Sequence, residues 1–371
     1  MIHKQQQGGV SLFIVIFTTL IVTIITVSFT QMMVHTQQQA TNNDLAQRAY
    51  DSAMAGVEDA KRGLVKLTQA CATGGSDCTA MTTKVNAANN CTTLQDLGVS
   101  TFSNNEVAVG AANDNQAYTC VTIQLQTPTY KDSLAQDATA VIPLKATAAY
   151  DKITLKWFTA QDAGANNADQ VSSPQSVSPA LPPSGRWQTN SKTPPMMRVQ
   201  YVPGSSKLSD LDTTAQTGFL YPVVNGLLSP PTILEVGRRT ATILPQPINC
   251  QRTFSSSPDG VCTANITVTP NNNGYLILTS LYGSTHFTAS MSSSSTPINF
   301  DGVQPLVDST GRADNLFRRV QAKVKITNGG TIPYPNATVH VKNNLCKAFF
   351  VTDRASEYQS NTGTCDADRD R

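Results

Sequence analysis

The chain begins with a short polar leader that is followed by a long apolar segment. Residues 10–34 contain no charged residue, no Gly and no Pro. A helix that crosses a bilayer needs about 20 apolar residues, so this segment predicts a membrane span. A secretory signal peptide has a shorter apolar core and a small-x-small cleavage site after it, whereas His35-Thr36-Gln37-Gln38-Gln39 follows here. The pattern therefore favours a retained span over a cleaved signal.

The helical pattern continues beyond the span and becomes amphipathic. Between residues 44 and 67, apolar residues recur at steps of three and four, as on one face of a helix. They are Ala46, Ala49, Tyr50, Ala53, Val57, Ala60, Leu64 and Leu67. Acids four residues before bases predict the pairs Asp44–Arg48 and Glu58–Arg62. We expect one helix over residues 10–68 whose second half lays its apolar face on a globular domain, although Gly56 and Gly63 lower its helix propensity.

Four threonines form a stripe within the span: Thr19, Thr23, Thr26 and Thr30. At about 100° per residue this stripe continues the charged face of the second half. One interpretation is that each hydroxyl binds a carbonyl of the preceding turn. The other is a seam with a neighbouring helix in an apolar setting. The pattern leaves both open.

Strand patterns begin after residue 115. Val121, Ile123 and Leu125 alternate with polar residues, and so do Ile153, Leu155 and Trp157. Further strands are predicted at 197–202, 232–236, 275–282, 317–327, 337–342 and 348–351. Residues 159–196 contain six prolines, which predicts a linker or long exposed loop. The predicted fold is α+β, with a helical stalk, a disulfide-containing part at 69–158 and a β-rich domain at 197–371.

The amino-acid composition limits the cellular compartment in which the protein can reside and the kinds of partner it can bind. Charged residues make up 14% of the chain and the net charge is +2, which is too small to indicate nucleic acid or an acidic substrate. All eight cysteines follow the apolar segment and none forms a metal-binding spacing. Pairing with the shortest loops gives Cys71–Cys78, Cys91–Cys120, Cys250–Cys262 and Cys346–Cys365. Four disulfides would require an oxidising compartment.

The sequence predicts no catalytic, cofactor or metal site. Phosphate-loop, hydrolase-elbow and zinc-protease motifs are missing. The four histidines are scattered, without a neighbour in sequence suited to a triad or a metal. Basic residues cluster near one strand at Arg318, Arg319, Lys323 and Lys325, but strand alternation divides them between two faces. We therefore expect a protein that is not an enzyme, and nucleic acid is an unlikely partner.

Gly9, the run Val10-Ser11-Leu12-Phe13 and the long apolar helix after it resemble the class III leader of type IV prepilins and pseudopilins. The subgroup that the chain most resembles is the PilX-like minor pilins. The resemblance covers about the first 67 residues. It implies that a prepilin peptidase cuts between Gly9 and Val10 and methylates the new amine of Val10. A C-terminal disulfide loop such as Cys346–Cys365 is also common in pilins.

Ile14 departs from the pattern of the major pilins. Those proteins carry glutamate at this fifth mature position, where it meets the N-terminal amine of a neighbour, whereas no acid precedes Asp44 in this chain. Subunits without this glutamate are typically minor ones, including those at a filament tip. The resemblance thus implies a minor pilin or pseudopilin whose partners are the membrane, the peptidase and other pilin subunits.

Two functions fit these features. In the first, the chain is held in the cell membrane before it joins a filament, and its β-rich domain is displayed for adhesion or filament priming, with a host-cell or surface ligand as a further partner. Lys4 precedes the span and the next charge is Asp44, which predicts a cytoplasmic N-terminus. In the second, the chain is a signal-anchored surface adhesin or receptor that never enters a filament.

Overall fold

A computed structural model describes residues 8–73, 76–86, 91–110, 115–166, 168–174, 187, 191–204, 206, 215–224 and 246–325. Helix α1 runs over Gly8–Thr73, α2 over Ser76–Asn86 and α3 over Thr93–Asp96. The single continuous helix expected over 10–68 is present and extends slightly at both ends. At 1.5 Å per residue it is roughly 100 Å long. The predicted α+β class is confirmed in this form, an N-terminal apolar helix followed by a β-rich region with disulfides.

The described residues also contain one 3-10 turn, Phe254–Ser256, and fourteen strands. The strands are β1 Val107–Ala108, β2 Gln116–Thr127, β3 Thr129–Leu134, β4 Thr139–Pro143, β5 Tyr150–Trp157, β6 Met196–Pro203, β7 Gln216–Val224, β8 Gln246–Cys250, β9 Cys262–Asn271, β10 Gly274–Leu281, β11 Thr285–Ser293, β12 Thr296–Ile298, β13 Phe300–Ala313 and β14 Leu316–Lys323. The strands expected at 197–202 and 275–282 are present, and the one expected at 317–327 is present as β14. Those expected at 232–236, 337–342 and 348–351 lie outside the described residues.

A small antiparallel sheet covers the second half of α1. Its strand order is β1-β2-β13-β14. Alternate residues of β2, including Val121, Ile123 and Leu125, are buried, as the sequence pattern predicts. They share one core with Val57 and Leu64 of the helix. Burial of these apolar side chains is what joins the helix to the sheet.

The other ten strands form a large sheet in the order β12-β11-β5-β9-β8-β7-β6-β10-β4, with β3 paired to β11. Its pairs are antiparallel except for β7 with β8. Inward-facing residues of strands near both edges of the sheet meet in a single core. This core includes Tyr130, Ile142, Trp157, Leu278 and Phe287. The sheet therefore curls around that core.

The large sheet is inserted into the small one. The chain leaves the small sheet at the end of β2 and returns at the start of β13, where Thr127 and Phe300 are cross-strand partners. All ten strands of the large sheet lie between these two residues. The predicted boundary at 159–196 does not separate the strands into two sets, because β4 and β5 pair with β10 and β9.

Part of the proline-rich segment belongs to the core. Trp187 is fully buried and stacks on Tyr282 with 4.3 Å between ring centroids. Its indole nitrogen donates a hydrogen bond to the carbonyl of Pro194 at 3.1 Å. The expectation of an exposed loop over 159–196 is therefore wrong at Trp187, because a large aromatic ring is stabilised most by burial with its N–H satisfied.

Three disulfides join neighbouring cysteines. They are Cys71–Cys78, Cys91–Cys120 and Cys250–Cys262, the same pairs that the shortest loops favour. The first joins the end of α1 to α2, and the last crosses the β8–β9 pair. Cys346 and Cys365 lie outside the described residues, so their pairing stays a prediction.

Candidate assembly interface on the N-terminal helix

The first half of α1 is an apolar rod against which none of the described residues outside the helix packs. Its large apolar side chains over residues 13–34 are 39–71% exposed. Of the described helices, α1 is the one that is long and apolar enough to cross a membrane, and none of its most apolar window is buried. At 1.5 Å per residue, residues 13–34 span about 33 Å, close to the ~30 Å of a bilayer core. This part of the helix therefore has the dimensions of a membrane span.

The predicted processing site lies at the beginning of this rod. Helix α1 starts at Gly8, so the Gly9–Val10 junction falls in its first turn. Cleavage at this junction and methylation of Val10 stay predictions. Ile14 is 56% exposed on the rod, and the segment has no acidic side chain before Asp44.

The threonine stripe binds its own helix. The hydroxyls of Thr19, Thr23, Thr26 and Thr30 each donate to a carbonyl three or four residues earlier, at 2.8–3.0 Å. The hydroxyl protons are therefore satisfied without a neighbouring helix. This agrees with the first of the two interpretations of the stripe.

The second half of α1 lies on the small sheet through a stripe of mostly small residues. Six of the eight predicted apolar positions are buried: Ala49, Ala53, Val57, Ala60, Leu64 and Leu67. Tyr50 was expected on this face but is 45% exposed. Ser52 is buried instead, with its hydroxyl donating to the carbonyl of Arg48 at 2.9 Å. Because the stripe is centred on Ala49 and Ala60, Tyr50 falls past its margin at about 100° per residue.

Glycines let the helix and strand β13 approach closely. A Cβ at Gly311 would lie 2.2 Å from the carbonyl oxygen of Ala49 and 2.2 Å from the amide nitrogen of Ala53. A Cβ at Gly56 would lie 2.4 Å from Oγ of Ser309. Gly56 weakens the intrinsic helix propensity, but in the folded chain it is required by the contact with β13. At Gly311 the backbones of α1 and β13 are thus in direct contact, in addition to the apolar core that joins the helix to the sheet.

The charged face of α1 differs in part from the prediction. Asp44 and Arg48 form the expected ion pair at 2.9 Å. The expected Glu58–Arg62 pair is replaced by Lys61–Glu58 at 2.5 Å and Arg62–Asp59 at 3.0 Å. Asp59 also accepts a hydrogen bond from the hydroxyl of Tyr118 in β2 at 2.7 Å. Asp59 therefore links the helix to the sheet. Arg62 pairs with this acid, three residues before it, and not with Glu58.

Ser309, at the same contact, carries an unsatisfied hydroxyl. It is fully buried, and its Oγ has no hydrogen-bond partner among the described residues. Removing a buried, unpaired polar group relieves its desolvation cost. We expect Ser309→Ala to raise the free energy of unfolding by about 1 kcal/mol, measured by urea denaturation monitored by circular dichroism.

Ser280 provides the matched control for this change. It is also fully buried, but its hydroxyl donates to the carbonyl of Gly283 at 2.6 Å. Ser280→Ala should lower the free energy of unfolding by about 1 kcal/mol because the Gly283 carbonyl loses its donor. A loss of stability in both variants would show that the Ser309 hydroxyl is satisfied in solution.

The structure brings together a histidine and an acid that are far apart in sequence. Nδ1 of His286 lies 2.5 Å from Oδ1 of Asp162. Proximity in the sequence could not reveal this contact, because the two residues are 124 positions apart. An alternating apolar series, Phe287, Ala289 and Met291, could have placed His286 on the outer face of a strand, but nothing in the sequence pointed to Asp162. Among the described residues, no three His, Cys, Asp or Glu side chains are grouped as metal ligands would be.

The basic residues in β14 and just after it do not form one patch. Arg319 binds the carboxylate of Asp308 at 2.7 Å. The Lys323 amine donates to Thr129, and Lys325 pairs with Asp132. The pKa of the Asp308 carboxyl lies below its usual range, first because of the hydrogen bond from Arg319. These charges are thus divided between two places on the surface.

Searches against protein-family models, curated proteins and solved structures found no match to this chain.

Proposed function

We propose that the chain is a minor pilin or pseudopilin, a structural subunit of a type IV pilus-like filament. It is held in the membrane by the first half of α1 before assembly. The second half of α1 carries the small sheet, and the inserted large sheet is displayed for adhesion or filament priming. The observation that carries the proposal is the continuity of α1 from an exposed apolar rod into a tightly bound stalk.

The exposed rod supports this proposal on energetic grounds. Fully burying one large apolar side chain is worth about 1.5–3 kcal/mol, so a rod of this length is not stable in water. A bilayer covers it before assembly, and the same half-helices of neighbouring subunits cover it in a filament. The satisfied threonine hydroxyls let the helix move between these two apolar settings without unpaired donors.

The mature N-terminus tests the proposal. Expressed with a prepilin peptidase, the chain should lose residues 1–9 and begin at methylated Val10, as measured by intact-protein mass spectrometry. Gly9→Leu should abolish this processing, because the resemblance places glycine at the cleaved bond. The matched substitution of the adjacent glycine, Gly8→Leu, should leave a mature chain of the same mass. A chain that retains Met1 with an active peptidase would contradict the proposal.

A signal-anchored adhesin or receptor is the second candidate. Ile14 favours it, because the helix lacks the carboxylate through which major pilins meet a neighbour's amine. In this case the chain keeps Met1, and mild shearing of cells releases no filament that contains it. The same mass measurement separates the two functions.

A further inference from the structure

A cleft of about 500 Å³ opens on the outer face of the large sheet. It lies between β3, β11 and the loops around residues 159–161 and 254–259. Small-ligand sites typically have volumes of about 300–1,000 Å³, so the cleft fits a mono- or disaccharide. Phe158, which precedes one of these loops, has φ +65°. Its amide donates to Oγ1 of Thr285 at 3.0 Å and to the carbonyl of His286 at 3.1 Å. These two bonds tie the start of the loop to β11.

Two lysines flank Thr288 across the sheet. Lys131 of β3 and Lys156 of β5 are both cross-strand partners of Thr288 in β11. Side chains directly opposite on neighbouring strands share a face, with their Cβ atoms about 5 Å apart. Lys131 pairs with Asp259 at 2.7 Å. Lys156 is half-buried and makes no ion pair among the described residues.

A third ammonium group reaches the same place from β14. The Lys323 amine donates to Oγ1 of Thr129 at 2.9 Å. Burial and the nearby charge of Lys131 lower the pKa of this amine. The hydrogen bond from Lys131 lowers the pKa of the Asp259 carboxyl, and the charges of Lys156 and Lys323 act in the same direction. Three ammonium groups thus act on one carboxylate, and Asp132, which also lines the cleft, is paired with Lys325. Positive charge is therefore in excess beside the cleft.

His286 provides a hydrogen-bonding ring nitrogen, Nε2, at the cleft. The Asp162 side chain is 4% exposed. Its Oδ2 accepts from the amide and hydroxyl of Thr159 at 2.7 and 3.0 Å, and its Oδ1 accepts from the amide and Nδ1 of His286 at 2.9 and 2.5 Å. An ionised carboxylate only accepts hydrogen bonds, so Nδ1 carries a proton, and Nε2 is an acceptor in the neutral ring and a donor in the imidazolium. A sugar hydroxyl can pair with Nε2 in either state, because it both donates and accepts. Ser133, the cross-strand partner of His286, adds a hydroxyl.

From this arrangement we infer that the cleft binds an acidic saccharide, a sugar that carries a carboxylate. The sugar carboxylate binds the ammonium groups of Lys131 and Lys156, which flank Thr288. A ring hydroxyl forms a hydrogen bond with Nε2 of His286. Nucleic acid fits less well, because Phe254 and Phe287 at the cleft are each about 1% exposed and give no open face for base stacking. This inference goes beyond the proposed function and does not require the chain to enter a filament.

Binding of sugar acids to the full-length chain in detergent micelles tests the inference. The probes are D-glucuronate and N-acetylneuraminate, with D-glucose as the neutral match to glucuronate, titrated by isothermal calorimetry at low salt. We expect a dissociation constant on the order of 1 mM for at least one acid. Glucose should bind about tenfold more weakly, because it lacks the charge-assisted hydrogen bonds.

Three variants locate the site. Lys156→Gln and His286→Gln should each weaken the binding of the sugar acid about tenfold. Lys152→Gln removes the same charge from the same strand, four residues away, where the amine donates to the carbonyl of Ser294. Its affinity should equal that of the wild-type chain. Unchanged circular dichroism spectra show that all three variants are folded.

Three results would overturn the inference. One is that neither acid binds at about 20 mM, some 20 times the expected constant. Another is that Lys156→Gln and Lys152→Gln bind alike. The third is that inorganic phosphate competes with the sugar acid at equal concentration, which would make the cleft a general anion site. None of these results depends on the mass of the mature N-terminus, so the inference and the proposed function can fail separately.

Discussion

Gly311→Ala is expected to lower the free energy of unfolding by about 3 kcal/mol or more, and Gly311→Val by still more. The added Cβ would lie 2.2 Å from backbone atoms of Ala49 and Ala53. A helix backbone cannot give way as the end of a flexible side chain can, so α1 must move off β13. The stalk and the small sheet should then separate before the large sheet unfolds.

Urea denaturation and amide hydrogen exchange measure this effect. Exchange protection should be lost over the buried part of α1, residues 49–67, whereas β5 and β10 of the large sheet should keep theirs. Thr310→Ala is the matched control, since it changes the adjacent residue of β13, which is half-buried, and should alter stability by less than about 0.5 kcal/mol. Wild-type stability in Gly311→Ala would contradict the close contact between helix and strand.

Alkaline pH is expected to unfold the globular region steeply. Burial raises the pKa of Tyr118, Tyr130 and Tyr150 well above the ordinary value of a tyrosine. Above pH ~10 the unfolded chain loses these protons, while the folded chain retains them. Stability is therefore fully present below pH ~10 and falls as the pH rises toward the folded pKa values.

The size of this effect follows from linkage. Each tyrosine that stays protonated only in the folded state costs about 1.4 kcal/mol per pH unit. Three such groups give a slope of about 4 kcal/mol per pH unit, so a domain of ordinary stability should unfold within a few pH units above 10. The measurement is the urea midpoint as a function of pH between 9 and 12, with tyrosinate absorbance recorded in parallel.

Single tyrosine variants test which groups carry the slope. Tyr130→Phe should reduce it by about 1.4 kcal/mol per pH unit, because one linked proton is removed. Tyr275→Phe changes a tyrosine that is 47% exposed and should leave the slope as it is. Equal slopes in these two variants would show that the Tyr130 hydroxyl ionises in the folded chain.

The parts of the fold that follow local periodicity could be predicted from sequence. The unbroken apolar run and the apolar residues at steps of three and four predict α1. Strict alternation of apolar and polar residues predicts β2 and β5. Strand β13 was missed, because Gly302, Pro305 and Gly311 interrupt its alternation and are poor strand formers. The same Gly311 is what lets β13 approach the helix. The tertiary contact thus requires glycine at this position, although glycine is a poor strand former.

Features that depend on distant pairing could not be predicted. The return of the chain at Phe300 to pair with Thr127 leaves no local signal, and a proline-rich segment between strands looks like a domain boundary. The His286–Asp162 contact joins residues 124 positions apart. Three disulfides were accessible to prediction because each joins cysteines that are neighbours in the sequence.

The inserted position of the large sheet determines the order in which the chain can fold during synthesis. The buried stripe of α1 is made first, but β13, which covers it, ends at Ala313. Since a nascent chain emerges from its N-terminus, Val57 and Leu64 meet β2 early, but Ala49 and Ala53 wait for roughly 250 residues before Gly311 of β13 is made. The small sheet is thus completed last. A chain truncated before β13 would therefore leave this part of the stripe uncovered even with a finished large sheet.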